Sequence, residues 1–241
     1  MKTIITLLAL AGLALGPTTS DAQTDKKWSV DVSLNALAAG LSGDVMVKGI
    51  PANLDVGFDQ VLEHLNAGAM GAVRVGYDRW AINTEFIYMD LGGSQGGARV
   101  DFEQLTVEPT LRYRVCDYFE ALAGARYNNL SGSVSLTGPL GTQRASSGTV
   151  DWWDPIVGGV VRVPISRKFS VNVHGDIGGF DVGSDLTWQA FPYLNWQISR
   201  RCSVQAGYRW IFNDYSQGSG RSKFRYDVLA QGPQLGITLH F

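Results

Sequence analysis

The chain has 241 residues, 17% of them charged, and a formal net charge of -2. So small a net charge gives no electrostatic reason to bind nucleic acid, and two cysteines without any CxxC or HExxH spacing make no metal site and call for no cofactor. Past residue 22 no apolar run reaches the ~18 residues that a membrane helix needs.

The first residues, "MKTIITLLALAGLALGPTTSDAQ", carry one Lys and then an apolar run from Ile4 to Leu15. Ser20 and Ala22 form a small-x-small site. Residues 1–22 therefore read as a cleaved signal peptide, and residues 23–241 as one exported domain. Past Gln23 the dominant signal is alternation with period 2. It predicts ten strands, near 28–39, 66–78, 80–91, 100–115, 118–130, 150–164, 168–179, 184–199, 202–214 and 224–241, with eight or twelve as the neighbouring even counts. Tight turns fall at Asp78-Arg79, Cys116-Asp117, 165–167 and Arg200-Arg201. Longer Gly- and Ser-rich connections fall at 40–65, 92–99, 131–149, 180–183 and 215–223. Short turns on one rim and loops on the other are the pattern of an all-β, up-and-down antiparallel transmembrane β-barrel. In the first long connection, "FDQVLEHL" puts Phe58, Val61, Leu62 and Leu65 at helical spacing. A short amphipathic helix folded over the rim is expected there, capped by Asp55 or Asn53.

One face of each strand is apolar and reads as free of Asp, Glu, Lys, Arg and His. Its aromatics gather near strand ends: Tyr77, Trp80, Tyr113, Phe119, Phe169, Trp196 and Phe241 toward the short turns, and Trp153, Trp188, Trp210 and Phe212 toward the loops. The other face carries Asp31, Glu85, Glu108, Glu120, Asp154 and Asp176 with Arg74, Arg112, Arg114, Arg126, Arg162 and Arg209, and no lysine. A soluble barrel would turn the apolar face inward. The aromatic clusters, and a polar face without the lysines of a soluble exterior, instead put lipid outside and the charges in the lumen. Outer-membrane lipids are then the surrounding partner.

The chain ends in "QLGITLHF", where Gln234, Gly236, Leu239 and Phe241 resemble the C-terminal signal by which bacterial outer-membrane barrels are handed to the barrel-assembly machinery. "FDQVLEHLNAGAMGAVRVGYDRWAINTEFIYMDL", "WWDPIVGGVVRVPIS", "HGDIGGFDVGSDLTWQ" and "AGYRWIFNDY" resemble segments of a family of small bacterial outer-membrane barrels, similar in class to the OmpA-type transmembrane domain. That resemblance implies the fold and a place in the outer membrane. It implies no catalytic residues.

Four groups of residues carry candidate chemistry. The lumen charges, with His174 beside Asp176, read first as a salt-bridged plug, because the Arg fork suits paired carboxylates. The alternative is a narrow pore for small solutes or ions. His174 and Asp176 could also orient a general base in an outer-membrane hydrolase, but no GxSxG motif accompanies them, while His64 falls in the loop helix and His240 at the far terminus. Cys116 and Cys202 both fall at the short-turn rim and could bridge if the turns lean together. Trp152 and Trp153 point to opposite faces, Trp153 as a boundary anchor. The expected role is therefore structural or surface-interacting, with a mostly filled lumen, no enzymatic activity and an extracellular partner the sequence does not name.

Overall fold

A computed structural model describes residues 28–47, 50–95, 98–137, 143–220 and 223–241. The signal segment expected at 1–22 lies outside them. In chain order the elements are β1 (Trp28–Leu37), β2 (Gly40–Val47), β3 (Ile50–Val56), α1 (Phe58–Glu63), β4 (Leu65–Tyr77), β5 (Trp80–Gln95), β6 (Ala98–Cys116), β7 (Phe119–Thr137), β8 (Gln143–Pro164), β9 (Phe169–Gly179), β10 (Leu186–Ser199), β11 (Cys202–Gln217) and β12 (Phe224–His240).

All pairings are antiparallel, and β1 pairs with both β4 and β12. Ten strands, β1 and β4 to β12, thus close a barrel, and β2 and β3 form an added hairpin on the edge of β12. Stepping between Cα partners once around the wall from Asp31 passes Arg74, Asn83, Thr110, Gly124, Ile156, Gly178, Thr187, Asn213 and Val228 and returns at Gly43, twelve residues along. That stagger over ten strands tilts them by about 40°. β1 and β2 face β12 in one continuous register, Asp31 opposite His240 and Met46 opposite Arg225. The ladder lapses between them where Pro233 of β12 has no N–H to give, and Ala38 N–H donates to the Pro233 carbonyl at 2.9 Å.

The alternation sorts as expected. Trp80, Ile82, Leu111, Val157, Val163, Leu194, Trp196, Leu235, Ile237 and Phe241 are exposed on the outside. Glu85, Glu108, Arg126, Asp154, Asp176 and Arg209 are buried inside. Aromatic pairs ring both ends of this belt: Trp28–Tyr77 and Trp80–Tyr113 at the short-turn end, with centroids 4.8 and 4.6 Å apart, and Tyr127–Trp153 and Tyr208–Trp210 at the other, at 4.9 and 4.5 Å. Asp90, Asp101 and Glu103 share the outward parity, so the charge-free exterior is confined to the belt and does not extend over the whole strand face.

The connections differ most from expectation. The stretches 92–99 and 131–149 are largely continued hairpins, β5–β6 and β7–β8, since backbone pairing persists where both faces are polar. The 40–65 connection holds β2, β3 and α1. α1 is shorter than the stripe suggested. Val61 is buried, and Phe58, Leu62 and Leu65 are exposed. Its N-cap is Gly57, whose N–H donates to Gln60 Oε1 at 3.2 Å. Asn53 and Asp55 lie in β3 instead, where Asn53 donates to Asp44 of β2. Asp78, in the tight β4–β5 turn, takes φ 53°, a left-handed conformation that a short polar side chain tolerates. Both cysteines are free. No bridge forms because they sit on β6 and β11, on opposite walls of the closed barrel.

Candidate functional site in the lumen

Three layers fill the interior. Nearest the loops is an apolar cap of Leu41, Val61, Leu130, Trp152, Tyr215, Tyr226 and Val228, with Val45, Leu54 and Val56 of the added hairpin packed against it. Trp152 stacks on Tyr215, centroids 4.0 Å apart and planes 7° from parallel. Trp153 next to it is exposed on the outer surface. Each cap side chain buried in this way contributes about 1.5–3 kcal/mol.

At mid-height is a buried ionic layer. Arg126 gives Nε to Glu108 Oε2 at 2.9 Å, one terminal nitrogen to Asp176 Oδ1 at 2.7 Å, and the other to Thr187 Oγ1 at 2.6 Å. Gln189 donates through Nε2 to Glu108 and to Asp176 and accepts from Arg209 through Oε1. Arg209 also pairs with Glu85, reaches Gln234 Oε1 at 3.4 Å, and lies 5.7 Å over the Phe191 ring. His174 Nε2 is 3.4 Å from Asp176 Oδ2, without the alignment of a hydrogen bond. Glu85, Glu108, Arg126, Asp176, Gln189, Phe191, Arg209 and Gln234 are each at most 7% exposed. Glu108, His174 and Asp176 have donor atoms within 4.8 Å of one another. Their carboxylate oxygens already serve Arg126 and Gln189, so the set fits an internal salt bridge and not a bound cation.

Below that layer a polar cavity of about 460 Å³ faces the short-turn end. Arg74 grips Glu120 with both terminal nitrogens, at 2.7 and 2.6 Å, and its Nε is 3.9 Å from Asp31. Arg112 reaches Glu120 at 3.6 Å. Arg114 and Arg162 line the same cavity, exposed, and no carboxylate among the described residues contacts their guanidinium groups.

The charges grouped as one lumen network thus divide into a mid-height knot (Glu85, Glu108, Arg126, His174, Asp176, Arg209) and a group at the mouth (Asp31, Arg74, Arg112, Arg114, Glu120, Arg162). Asp154 joins neither. It is fully buried near the loops, where Oδ1 accepts from the Ser184 N–H at 2.6 Å and Oδ2 from Ser184 Oγ at 2.8 Å and Trp152 Nε1 at 2.9 Å. Of the terminal set, Leu239 and Phe241 point outward and Gln234 is buried beside Arg209. Gly236 leaves room for the Gln205–Asn35 hydrogen bond at 2.8 Å, since a Cβ there would lie 2.1 Å from Asn35 Oδ1.

Residue chemistry alone missed Gln189 and Thr187, and gave Gln234 only as part of the terminal signal, because the inward face shows its charges more plainly than its amides and hydroxyls. It also missed a second histidine cluster. His240 Nδ1 lies 2.7 Å from Asp31 Oδ1, and its Nε2 lies 2.9 Å from Ser203 Oγ. Laying the last strand against the first would have revealed half of it, since Asp31 and His240 are direct cross-strand partners.

A closed antiparallel barrel with an apolar exterior and a charged interior is the fold of outer-membrane β-barrels. The outer membrane protease OmpT of Escherichia coli is similar in shape, with a TM-score of 0.52, 9% identity, and coverage of 92% of this chain and 99% of that one. That likeness bears on the fold alone. Ail, the attachment invasion locus protein of Yersinia pestis, aligns with a TM-score of 0.41 and 14% identity over 89% of this chain and 99% of its own, too loosely to bear on anything further. No family model matches the sequence, and no curated protein matches it either.

Proposed function

We propose that the protein is an integral β-barrel of a bacterial outer membrane whose lumen is closed, and that its role is structural or surface-interacting. The belt of exposed Leu, Ile, Val and aromatic side chains supports lipid outside, since water would penalise such a continuous apolar band. The observation that carries the closed lumen is the mid-height ionic knot, with every principal member buried and the apolar cap stacked above it. The cavity at the mouth supports at most a vestibule, because it ends at Glu85 and Arg209. The hairpins β5–β6 and β7–β8, which run on beyond the aromatic ring, would be the surface offered to a partner outside the cell.

Planar-bilayer recording of the refolded mature chain tests this reading. The expected result is no stepwise conductance above the bare bilayer. Steady ion flux through the unmodified barrel would replace the closed lumen with the narrow pore. We assign outward Leu239 and Phe241 to contact with the barrel-assembly machinery. Removing Phe241 should lower the folded, membrane-inserted yield in cells while leaving refolding into detergent intact.

A further inference from the structure

We propose that Ser203, His240 and Asp31 form a serine-hydrolase triad opening on the mouth cavity, acting on short esters that carry a negative charge. The three residues come from neighbouring strands at the closing seam: Asp31 from β1, His240 from β12 and Ser203 from β11. A carboxylate only accepts hydrogen bonds, so the 2.7 Å contact with Asp31 places the ring hydrogen on Nδ1. Nε2 is then the acceptor, and the Ser203 hydroxyl donates to it at 2.9 Å. Nucleophile, base and orienting carboxylate therefore stand in the order and at the separations that activate a serine. Asp31 is itself held by Arg74, 3.9 Å from its other oxygen.

Ser203 is almost fully buried in the wall, yet it lines the cavity together with His240 and Asp31. A volume of about 460 Å³ is that of a small-molecule site. Its lining sets the substrate class. Across the lumen Arg114 and Arg162 offer guanidinium groups that no carboxylate among the described residues contacts, which suits a carboxylate or phosphate on the substrate. The wall is mostly Ser, Asn, Gln and charged side chains, with Val160, Phe191 and Tyr193 as its apolar part, and so disfavours a long acyl chain. Gln205, two residues along β11 on the same face, spends one amide hydrogen on Asn35 and keeps the other for a developing oxyanion.

The Ser203 oxygen would add to the ester carbonyl as its proton passes to His240 Nε2. The acyl–oxygen bond then breaks, and the leaving alkoxide takes that proton and departs as the alcohol. Water attacks the acyl-serine and gives its proton to Nε2. The acid leaves, and the proton returns to Ser203. The net change is ester plus water to acid plus alcohol.

The experiment uses the full mature barrel refolded in detergent, with folding checked by heat-modifiable mobility. A fluorophosphonate probe should add to Ser203, read by peptide mass, and mono(4-nitrophenyl) succinate should be hydrolysed. Ser203→Ala should abolish labelling and lower turnover at least about 100-fold, and so should His240→Gln, which keeps a polar side chain but cannot serve as the base. Asp31→Asn should lower kcat with KM held. Arg162→Gln should raise KM for the succinate ester several-fold and leave that for 4-nitrophenyl acetate alone. No labelling of the wild type, labelling elsewhere, or turnover that survives Ser203→Ala would overturn the triad and leave His240 as a hydrogen-bonded clasp across the seam. An unchanged KM in Arg162→Gln would overturn the anionic substrate. The bilayer result has no bearing on either outcome.

Discussion

At the scale of single residues, Arg126 joins β6, β9 and β10 through one guanidinium. It is 1% exposed and contacts two carboxylates and a threonine hydroxyl. Two buried carboxylates lose their counter-charge if it is removed, so Arg126→Ala should cost about 3–5 kcal/mol. Denaturant unfolding in detergent micelles would measure this as an earlier midpoint. Arg126→Lys should recover only part of the loss, because an ammonium cannot reproduce the planar fork. The inward parity of Arg126 was legible in the sequence, for alternation assigns a face to every strand residue. Its partners were not. Glu108, Asp176 and Thr187 come from β6, β9 and β10, and their meeting depends on strand tilt and stagger, which no local pattern records. The Ser203–His240 contact was hidden for the same reason.

At the scale of elements, Asp154 ties the turn between β9 and β10 to the wall. That turn bends through Phe180 and Asp181, with φ of 51° and 61°, a region a bulky phenylalanine enters at a cost. The three hydrogen bonds accepted by Asp154, two of them from Ser184, offset that cost. Asp154→Ala should loosen residues 180–185 selectively. Hydrogen exchange of the Ser184 amide should rise by at least tenfold with the belt strands unchanged, a loss of about 1.5–3 kcal/mol for bonds to a charged group. The sequence placed the ten wall strands within a few residues at their short-turn ends and at most loop ends, and stopped short chiefly in the long hairpins β5–β6 and β7–β8. Polar side chains on both faces erase the alternation there, while the backbone ladder continues through Ser131–Thr149 and Ser133–Ser147. The β2–β3 hairpin went unread because its inward Leu41, Val45, Leu54 and Val56 face the cap and not a barrel core.

At the scale of the whole molecule, the cap and the wall are separate layers: Trp152 stacks on Tyr215, and Tyr226 is buried with them among apolar neighbours. Truncating a large buried ring costs about 3–5 kcal/mol, so Tyr226→Ala should shift tryptophan fluorescence while the β-sheet circular dichroism signal is retained. Loss of both together would contradict a cap that softens independently of the wall.

Because β1 and β2 meet β12 in one register, the two together form the mould for the last strand along its height. Without residues 40–56, the outer part of β12, from Arg225 to Gln231, would have bare amides and carbonyls. Such a rim invites a second molecule to supply the missing ribbon. The deletion should thus add side-by-side pairs on native gels, joined along the uncovered edge of β12.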